Sequence, residues 1–394
     1  MKIGLVANTA WNIYNFRVPL IRALEAQGHK VITVAPPDAF AERLEKIGIT
    51  YHPIKMDAKG TNPITDLKLT HQLFRLYKRH GLEFVLHYTI KPNIYGTLAA
   101  RMAGIKTINN VTGLGTTFLR DTFSSKVARL LYRFTFSFPE CVFFQNDDDR
   151  QLFLKQGLVS EKKSKLIPGS GLDTRHFHTY VREPYDQTFT FLMIARVLYD
   201  KGILEYISAI RKLKQEGSRA RFLLLGKINE DKGLGVSRAQ IQAWEDEGLI
   251  KYLGVTDDVR PYIEQAHCVV LPSYREGTPR TLLEAASMYR PIVTTCVPGC
   301  RETVREGYNG FFCEVKNAES LKQAMHRMEQ LELAERLQMG ENSRCLVEEK
   351  FAMERIIQHY KEALELACPL RKQKPVMQQS STVESHAVAF SRGR

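Results

Sequence analysis

Residues 268–310, CVVLPSYREGTPRTLLEAASMYRPIVTTCVPGCRETVREGYNG, decide how this chain folds. They open with the apolar run Val269–Leu271, which predicts a short buried strand followed by a loop. A helix is predicted to begin near Thr281, and a second buried strand spans Pro291–Thr295. This order of strand, loop, helix and strand is a βαβ unit. Ligands of such units bind at the loops that follow the carboxyl ends of the strands.

Two glutamates distinguish this unit from a generic one. Glu276 lies in the loop and Glu284 in the helix, so we expect both to face the crevice at the start of the helix. The backbone N–H groups of Gly277 and Thr278 would lie near the helix N-terminus, where anions bind. A carboxylate beside an anion site suits a ligand with phosphate and hydroxyl groups. Alternatively, Glu276 complements the helix dipole and Glu284 is solvated.

The spacing Glu276-x7-Glu284, with Pro298–Glu302 and Gly307–Gly310 behind it, resembles the donor-site signature of retaining GT-B glycosyltransferases of family 4. The resemblance implies an α/β fold with two Rossmann-like doubly wound domains and a C-terminal helix that crosses back to the first domain. It also implies that Glu284 holds the nucleotide ribose and that Glu276 holds the donor sugar. Relatives often carry Asp where this chain has Cys296, so that position departs from the pattern.

Composition limits the possible classes of protein. The chain has 394 residues, which favours two domains, and its 44% hydrophobic and 25% charged residues are typical of a globular protein. No apolar run approaches the roughly 18–20 residues that span a bilayer. The net charge of +13 suits anionic partners, namely nucleotide diphosphates, acidic membranes or nucleic acid. The basic residues form no RNA-binding motif, so we do not expect a nucleic-acid partner.

The seven cysteines have no C-x-x-C spacing. Cys296 and Cys300 are four residues apart without a second ligand pair, so we expect no zinc site. A reducing cytosol is the simpler interpretation of unpaired cysteines.

Short apolar strands alternate with helices in residues 1–180, and the alternation restarts at Phe189. This rhythm predicts two parallel sheets covered on both faces. We predict an acceptor-binding domain at 1–180 and a nucleotide-sugar-binding domain at 181–350. The resemblance implies a crossing helix at 351–368, and the polar composition of 369–394 predicts a mobile tail.

Arg196 and Lys201 follow the predicted strand Phe189–Ile194, in a loop of the same sheet as Glu276. Such cations can grip a diphosphate, Arg with a planar fork and Lys as a point charge. They resemble the family's Arg/Lys pair, which neutralises the departing diphosphate and removes the need for a metal. Taken alone, they are also consistent with ordinary surface cations.

The run Asp147–Asp149 is similar to the metal-binding Asp-x-Asp of other glycosyltransferases. It also follows a predicted strand and starts a helix, where aspartates cap backbone N–H groups and complement the dipole. We favour this structural interpretation and predict no metal.

His87 ends the predicted strand Phe84–His87, and Lys91 belongs to a K-P-N sequence that resembles the family's. A single His at a strand end is more often structural than catalytic. Its position in this resemblance nevertheless makes His87 a catalytic candidate and Lys91 an acceptor-side candidate.

Two other loops supply acceptor-side candidates. Asn15 and Arg17 close the loop after the first strand, and a similar N-F-R ending occurs in relatives that build bacterial surface glycans. Gly113 and Gly115 follow another strand, where glycines allow the backbone to approach a sugar or phosphate closely.

Residues 117–138, TFLRDTFSSKVARLLYRFTFSF, combine aromatic and basic side chains. This pattern predicts a helix that lies on an anionic membrane surface. The alternative is an ordinary domain helix whose leucines face the core.

The resemblance implies a retaining, metal-independent glycosyltransferase without a cofactor. It would move a hexose or N-acetylhexosamine from a UDP-sugar to a polyprenyl-diphosphate-linked glycan acceptor in bacterial capsule, O-antigen or glycoprotein glycan assembly. We expect it in the cytoplasm, peripherally bound to the inner face of the plasma membrane. The alternatives are a family 4 transferase with a soluble sugar or sugar-phosphate acceptor and a catalytically inactive regulatory protein.

Overall fold

The computed structural model describes residues 1–57, 62–113, 123–184, 188–228 and 233–368. In this part of the chain the strands form two separate sheets. The first contains β1 (Lys2–Val6), β2 (Lys30–Ala35), β3 (Tyr51–Pro53), β4 (Phe84–Tyr88), β5 (Lys106–Val111), β6 (Cys141–Phe144) and β7 (Ser164–Leu166). The second contains β8 (Thr190–Ile194), β9 (Arg221–Leu225), β10 (Lys251–Tyr252), β11 (Cys268–Leu271), β12 (Ile292–Thr295) and β13 (Gly310–Cys313).

Both sheets are parallel and doubly wound. The strand orders are β3-β2-β1-β4-β5-β6-β7 and β10-β9-β8-β11-β12-β13, so each order reverses next to the first strand of its sheet. The pairings between the described strands of these sheets are parallel, for example Val6 with His87 and Leu271 with Thr294. Helices cover both faces of such sheets, which is why the central strands are continuous apolar runs. The reversals lie at β1/β4 and β8/β11, where folds of this type bind ligands.

Helices connect the strands of both sheets. In the first half they are α1 (Ala10–Phe16), α2 (Val18–Ala26), α3 (Ala41–Lys46), α4 (Pro63–His80), α5 (Thr97–Ala103), α6 (Phe123–Thr135) and α7 (Asp147–Lys155). In the second half they are α8 (Ile203–Gln215), α9 (Arg238–Asp246), α10 (Arg260–Glu264), α11 (Arg280–Ser287), α12 (Ala318–Glu329), α13 (Leu333–Lys350) and α14 (Met353–Ala367). Short helical turns occupy Pro92–Gly96, Glu161–Lys163, Tyr199–Lys201 and Arg301–Thr303.

The last helix, α14, belongs to the first sheet although it follows the second in sequence. Its apolar residues Ile356, Tyr360 and Leu364 are buried in one core with β1 and β4. The crossing helix that the resemblance implied is therefore confirmed.

The segment after β7 packs on the second sheet. Leu172 and Phe177 are buried in the core of that sheet, and Leu172 N–H donates to the Phe351 carbonyl at 2.9 Å. The predicted domain boundary at residue 180 thus lies inside a segment that already packs on the second unit. Residues 369–394, the predicted tail, lie outside the described residues.

Several predicted elements match, including the strands at 30–35, 141–144 and 221–225. Helices α1 and α2 are separate, because Pro19 lies in the first turn of a new helix. Helix α13 continues through Gly340 to Lys350. A Cβ at Gly340 would lie 2.5 Å from the Tyr289 carbonyl oxygen, so this glycine permits close packing.

No helix among the described residues combines the length and the apolar character that a membrane span requires.

Candidate active site

A cavity of about 980 Å³ separates the two sheets at the carboxyl ends of their strands. Its first wall comes from the N-terminal unit and is largely aromatic: Trp11, Tyr14, Asn15, Phe16 and Phe40. Its second wall comes from the C-terminal unit and is charged: Arg196, Lys201, Glu276, Arg280 and Glu284. Asp173, His176 and Phe177 line the floor, where the chain passes between the units.

Lys201 and Glu276 form an ion pair on the C-terminal wall. Gly202 makes this possible, because a Cβ there would lie 2.1 Å from the Pro272 carbonyl oxygen and would push the two loops apart. Ser273 Oγ donates to the same carboxylate oxygen, Glu276 Oε1, at 2.8 Å. The ion pair and this hydroxyl hold Glu276 at the edge of the cavity, within reach of a ligand.

Glu284 is the second carboxylate of this wall and is paired with Arg280. Arg280 Nε donates to Glu284 Oε1 at 3.1 Å, one helical turn away on α11. Burial raises the pKa of the Glu284 carboxyl above its ordinary value, and the Arg280 guanidinium opposes that shift. Burial also lowers the pKa of Arg280. The pair therefore places the Glu284 carboxyl group beside a guanidinium in a partly desolvated site, where hydrogen bonds are strong.

The two units touch beside the cavity. A Cβ at Gly277 would lie 2.3 Å from the Thr112 carbonyl oxygen, so only glycine permits this approach. Asn146 Nδ2 donates to the Gly277 carbonyl at 3.2 Å. Arg275 pairs with Asp149 across the same boundary, and Arg301 pairs with Asp148.

These contacts explain the aspartates of α7. Asn146 caps the helix by accepting from Asp149 N–H at 2.8 Å, and Asp148 and Asp149 each meet an arginine of the C-terminal unit. The described residues contain no group of three or more His, Cys, Asp or Glu side chains that could hold a metal ion. The structure thus gives the Asp147–Asp149 run the helix-start position that we favoured.

Arg196, Lys201, Glu276, Glu284 and Asn15 are the predicted site residues that the structure brings to one cavity. Their individual roles stay predictions. Two other predicted donor residues, Gly277 and Thr278, lie against the N-terminal unit in the described structure; Thr278 Oγ1 donates to the Gln145 carbonyl at 3.4 Å. Of the two predicted acceptor-side glycines, Gly113 approaches Gly277 of the C-terminal unit. Gly115 lies outside the described residues.

The prediction of a catalytic His87 is wrong. The side chain is fully buried, its Nε2 lies 3.0 Å from Tyr77 Oη and its Nδ1 lies 3.0 Å from Asn109 Oδ1. Both ring nitrogens thus have partners, and burial lowers the pKa of His87 to about 4. A neutral, enclosed imidazole of this kind holds strands and helix together and does not reach a substrate.

The structure places Lys91, the predicted acceptor-side residue, in a buried ion pair. Lys91 Nζ lies 2.6 Å from Asp66 Oδ1, and both side chains are buried. This ion pair joins α4 to the turn after β4. The K-P-N sequence therefore has a structural explanation.

Arg17 differs from Lys91, since no described residue forms an ion pair with it. It is 2% exposed, its guanidinium lies 4.0 Å above the Tyr88 ring, and its Nε has no hydrogen-bond partner among the described residues. Its neighbour Phe16 lines the cavity. Arg17 remains an acceptor-side prediction.

Sequence reasoning missed Arg280, although the residue lies inside the stretch that carries the two glutamates. It also missed Arg43, whose guanidinium pairs with Asp257 across the two units at 2.8 Å. Contacts between residues far apart in sequence leave no local pattern. When those contacts are not known, the sequence alone does not distinguish an arginine of the site from an ordinary surface cation.

Two protein-family models match the chain. "Glycosyl transferases group 1" matches residues 179–345, and "Glycosyl transferase 4-like" matches residues 2–146. The two matches correspond to the two sheets of the structure.

Curated proteins and solved structures agree with these models. The chain is 29% identical over 339 residues to N,N'-diacetylbacillosaminyl-diphospho-undecaprenol alpha-1,3-N-acetylgalactosaminyltransferase of Campylobacter jejuni, covering 82% of this chain and 88% of that protein. It is 24% identical to an Escherichia coli UDP-Gal:alpha-D-GlcNAc-diphosphoundecaprenol alpha-1,3-galactosyltransferase, covering 67% and 71%. Anabaena Alr3699/HepE, solved with UDP and glucose, superposes with a TM-score of 0.76 at 19% identity, covering 93% and 99% of the two chains.

Two doubly wound units around one charged cleft, together with these matches, define the chain as a GT-B glycosyltransferase. Its C-terminal unit matches the glycosyl transferases group 1 and its N-terminal unit matches the glycosyl transferase 4-like family, in agreement with the resemblance.

If His87 is structural, replacing it with glutamine will lower stability much more than turnover. We expect H87Q to lose about 1–3 kcal/mol of unfolding free energy, because a buried hydrogen-bond partner is removed. Its kcat should stay within about threefold of wild type, since ΔΔG‡ is small for a group that does not touch substrate. Chemical denaturation and steady-state kinetics measure the two quantities, and a large kcat loss at unchanged stability would contradict this assignment.

The pH dependence of stability supplies an independent check on the same histidine. Its folded pKa of about 4 lies below the ordinary 6.5, so the unfolded state binds the proton first. The unfolding free energy of the wild type should therefore fall as pH drops from about 6.5 to about 4. His267, whose burial also lowers its pKa to about 4, adds to this slope. H87Q should make the slope shallower without abolishing it.

Proposed function

We propose that the chain transfers a hexose or N-acetylhexosamine from a UDP-sugar to a polyprenyl-diphosphate-linked glycan, with retention of anomeric configuration and without a metal or cofactor. The observation that carries this proposal is the pairing of two cations with two carboxylates on one wall of the interdomain cavity. The Campylobacter and Escherichia relatives are named for transfer to sugars on undecaprenyl diphosphate, which supports the acceptor class.

In this proposal the C-terminal wall binds the donor. Arg196 is exposed at the cavity and Lys201 lies next to Glu276, so a diphosphate between them would gain two charge-assisted contacts. The ribose hydroxyls would donate to Glu284, and the hydroxyls of the donor sugar would donate to Glu276. The ion pair with Lys201 holds the Glu276 carboxylate where it can accept these bonds.

Transfer needs cations placed where charge develops. The bond between the anomeric carbon and the β-phosphate oxygen breaks, and the acceptor hydroxyl oxygen forms its new bond on the same face. The hydroxyl proton passes to the departing phosphate oxygen, so UDP itself is the base. Arg196 and Lys201 stabilise the charge that accumulates on UDP, a contribution that other enzymes obtain from a metal ion.

The N-terminal wall would bind the acceptor. Its aromatic side chains suit the apolar faces of sugar rings, and Arg17 is a buried cation whose Nε lacks a partner among the described residues. A buried charge without a counter-ion is costly, and a diphosphate that enters the cavity would remove that cost. We therefore assign Arg17 and Asn15 to the acceptor side.

A transfer assay tests the proposed reaction. Labelled UDP-sugars are incubated with an undecaprenyl-diphosphate-linked acceptor in the presence of EDTA, and label is counted in the organic phase. We expect transfer from one UDP-sugar at the rate seen without EDTA, and loss of transfer in E276Q but not in E306Q. Label that stays in a water-soluble product would favour the soluble acceptor. A requirement for added metal would contradict metal-independent transfer.

Glu284 gives a separate prediction about nucleotide binding. Replacement by glutamine removes a charged acceptor of ribose hydroxyls, and hydrogen bonds to charged groups contribute about 1.5–3 kcal/mol each. E284Q should therefore bind UDP about ten- to a hundredfold more weakly by calorimetry. The surface variant E319Q should bind UDP like the wild type, and equal affinity in E284Q would remove Glu284 from the nucleotide site.

We also propose that α6 contacts an anionic membrane at the cytoplasmic face. Val127, Leu130 and Phe134 are exposed on one stripe of this helix, and Leu130 is 67% exposed. The basic residues Lys126 and Arg133 are exposed beside that stripe. An apolar stripe with flanking cations fits a lipid surface, and membrane contact would bring the enzyme to a lipid-linked acceptor. The first part of the predicted membrane-surface segment lies outside the described residues, including Phe118, Leu119 and Arg120.

Vesicle binding tests this surface. The wild type should co-sediment with vesicles that contain phosphatidylglycerol and should be released by high salt, because the attraction is partly electrostatic. The double variant L130E/F134E should lose at least about tenfold in affinity, since it buries two new charges. The matched control is L67E, which alters an equally exposed leucine on α4. An unchanged affinity of the double variant would contradict this orientation.

A further inference from the structure

Arg280 is a cavity side chain that contacts both units at once. Its Nε donates to Glu284 Oε1 at 3.1 Å on its own helix. Its Nη1 donates to the Asn15 carbonyl at 2.7 Å, in the N-terminal unit. The guanidinium also lies 5.0 Å from the Phe16 ring centroid and 5.8 Å from that of Phe177. One guanidinium thus joins the carboxylate of the donor wall to the aromatic wall that faces it.

The two acceptors explain why the residue is an arginine. Asn15 lies in the last turn of α1, where unpaired carbonyls carry partial negative charge, and Glu284 is a carboxylate. The planar guanidinium holds donors in fixed directions and can satisfy both acceptors together, whereas a lysine ammonium is a single point charge. Arg280 is largely buried, so this geometry is held by packing as well as by hydrogen bonds.

The pair also leaves Glu284 able to bind a ligand. Arg280 engages Oε1, and none of the described residues donates to Oε2. A ligand hydroxyl can therefore add to Glu284 without displacing Arg280. Such a ligand would restrict Glu284, and a restricted Glu284 holds the guanidinium in the orientation that reaches Asn15.

We propose that Arg280 is a positioning residue that couples nucleotide binding at Glu284 to closure of the cleft. This inference rests on the proposed function, because it takes Glu284 as the ribose-binding carboxylate. The nucleotide orders Glu284, Glu284 orders Arg280, and Arg280 docks the N-terminal unit through the Asn15 carbonyl. Because a ligand shifts a conformational equilibrium only by its differential affinity, the closed state must bind UDP more tightly than the open state.

Three measurements on the full chain test this coupling: UDP affinity by calorimetry, the radius of gyration by small-angle X-ray scattering with and without saturating UDP, and the separation of kcat from the donor KM. The wild type should contract on addition of UDP. R280Q should bind UDP more weakly, show no contraction even at saturation, and lose at least about tenfold in kcat. R280K keeps a charge near Glu284 and should recover part of the affinity but not the contraction, because the additional affinity of the closed state is lost.

The matched control is D148N, which removes the charge from another cross-unit ion pair, Arg301–Asp148, outside the cavity lining. It should contract like the wild type. Contraction and kcat like wild type in R280Q, or in R280K if R280Q does not fold, would overturn the coupling. So would a wild type that does not contract, or a D148N variant that loses contraction equally.

Comparison of E284Q with R280Q distinguishes a failure of the coupling from a failure of the proposed donor site. If E284Q binds UDP like the wild type, the ribose assignment fails and the coupling fails with it. If E284Q binds weakly while R280Q contracts normally, only the coupling is overturned.

Discussion

The close approach of Gly277 to the Thr112 carbonyl is the contact on which the geometry of the cleft depends. It brings the loop after β11 against the loop after β5, so the carboxyl ends of the two sheets face each other. A side chain at position 277 would separate them, because its Cβ would lie 2.3 Å from that oxygen. Asn146 and the Arg275–Asp149 pair support the same boundary. The catalytic cavity therefore lies beside a contact made by backbone atoms.

Charges on the C-terminal wall are arranged in matched pairs. Lys201 meets Glu276 and Arg280 meets Glu284, so neither carboxylate is left as an isolated buried charge. Each pair nevertheless contains a carboxylate at the edge of the cavity where ligand hydroxyls can reach it. Arg17 on the opposite side is buried, and its Nε has no hydrogen-bond partner among the described residues, which supports the proposal that an anion binds on that side. A glycosyl donor and a diphosphate acceptor would complete this pattern.

Much of the fold could be predicted from sequence, because parallel strands covered on both faces are continuous apolar runs such as Cys141–Phe144. The short edge strands Tyr51–Pro53 and Ser164–Leu166 lack such runs and were missed. The glutamates and cations after β8 and β11 were found because strand order places their loops at one edge. The buried contacts of His87 and Lys91 were not anticipated because their partners, Asn109 and Asp66, are distant in sequence. Arg280 was overlooked because its contact with the Asn15 carbonyl is also distant in sequence, although Glu284 is only one helical turn away.

A crystal structure of the protein with UDP would show which wall of the cavity holds the nucleotide. We expect the diphosphate between Arg196 and Lys201, the ribose hydroxyls on Glu284, and Arg280 still in contact with the Asn15 carbonyl. A nucleotide bound to the aromatic N-terminal wall, or held through a metal ion at Asp147–Asp149, would contradict this arrangement.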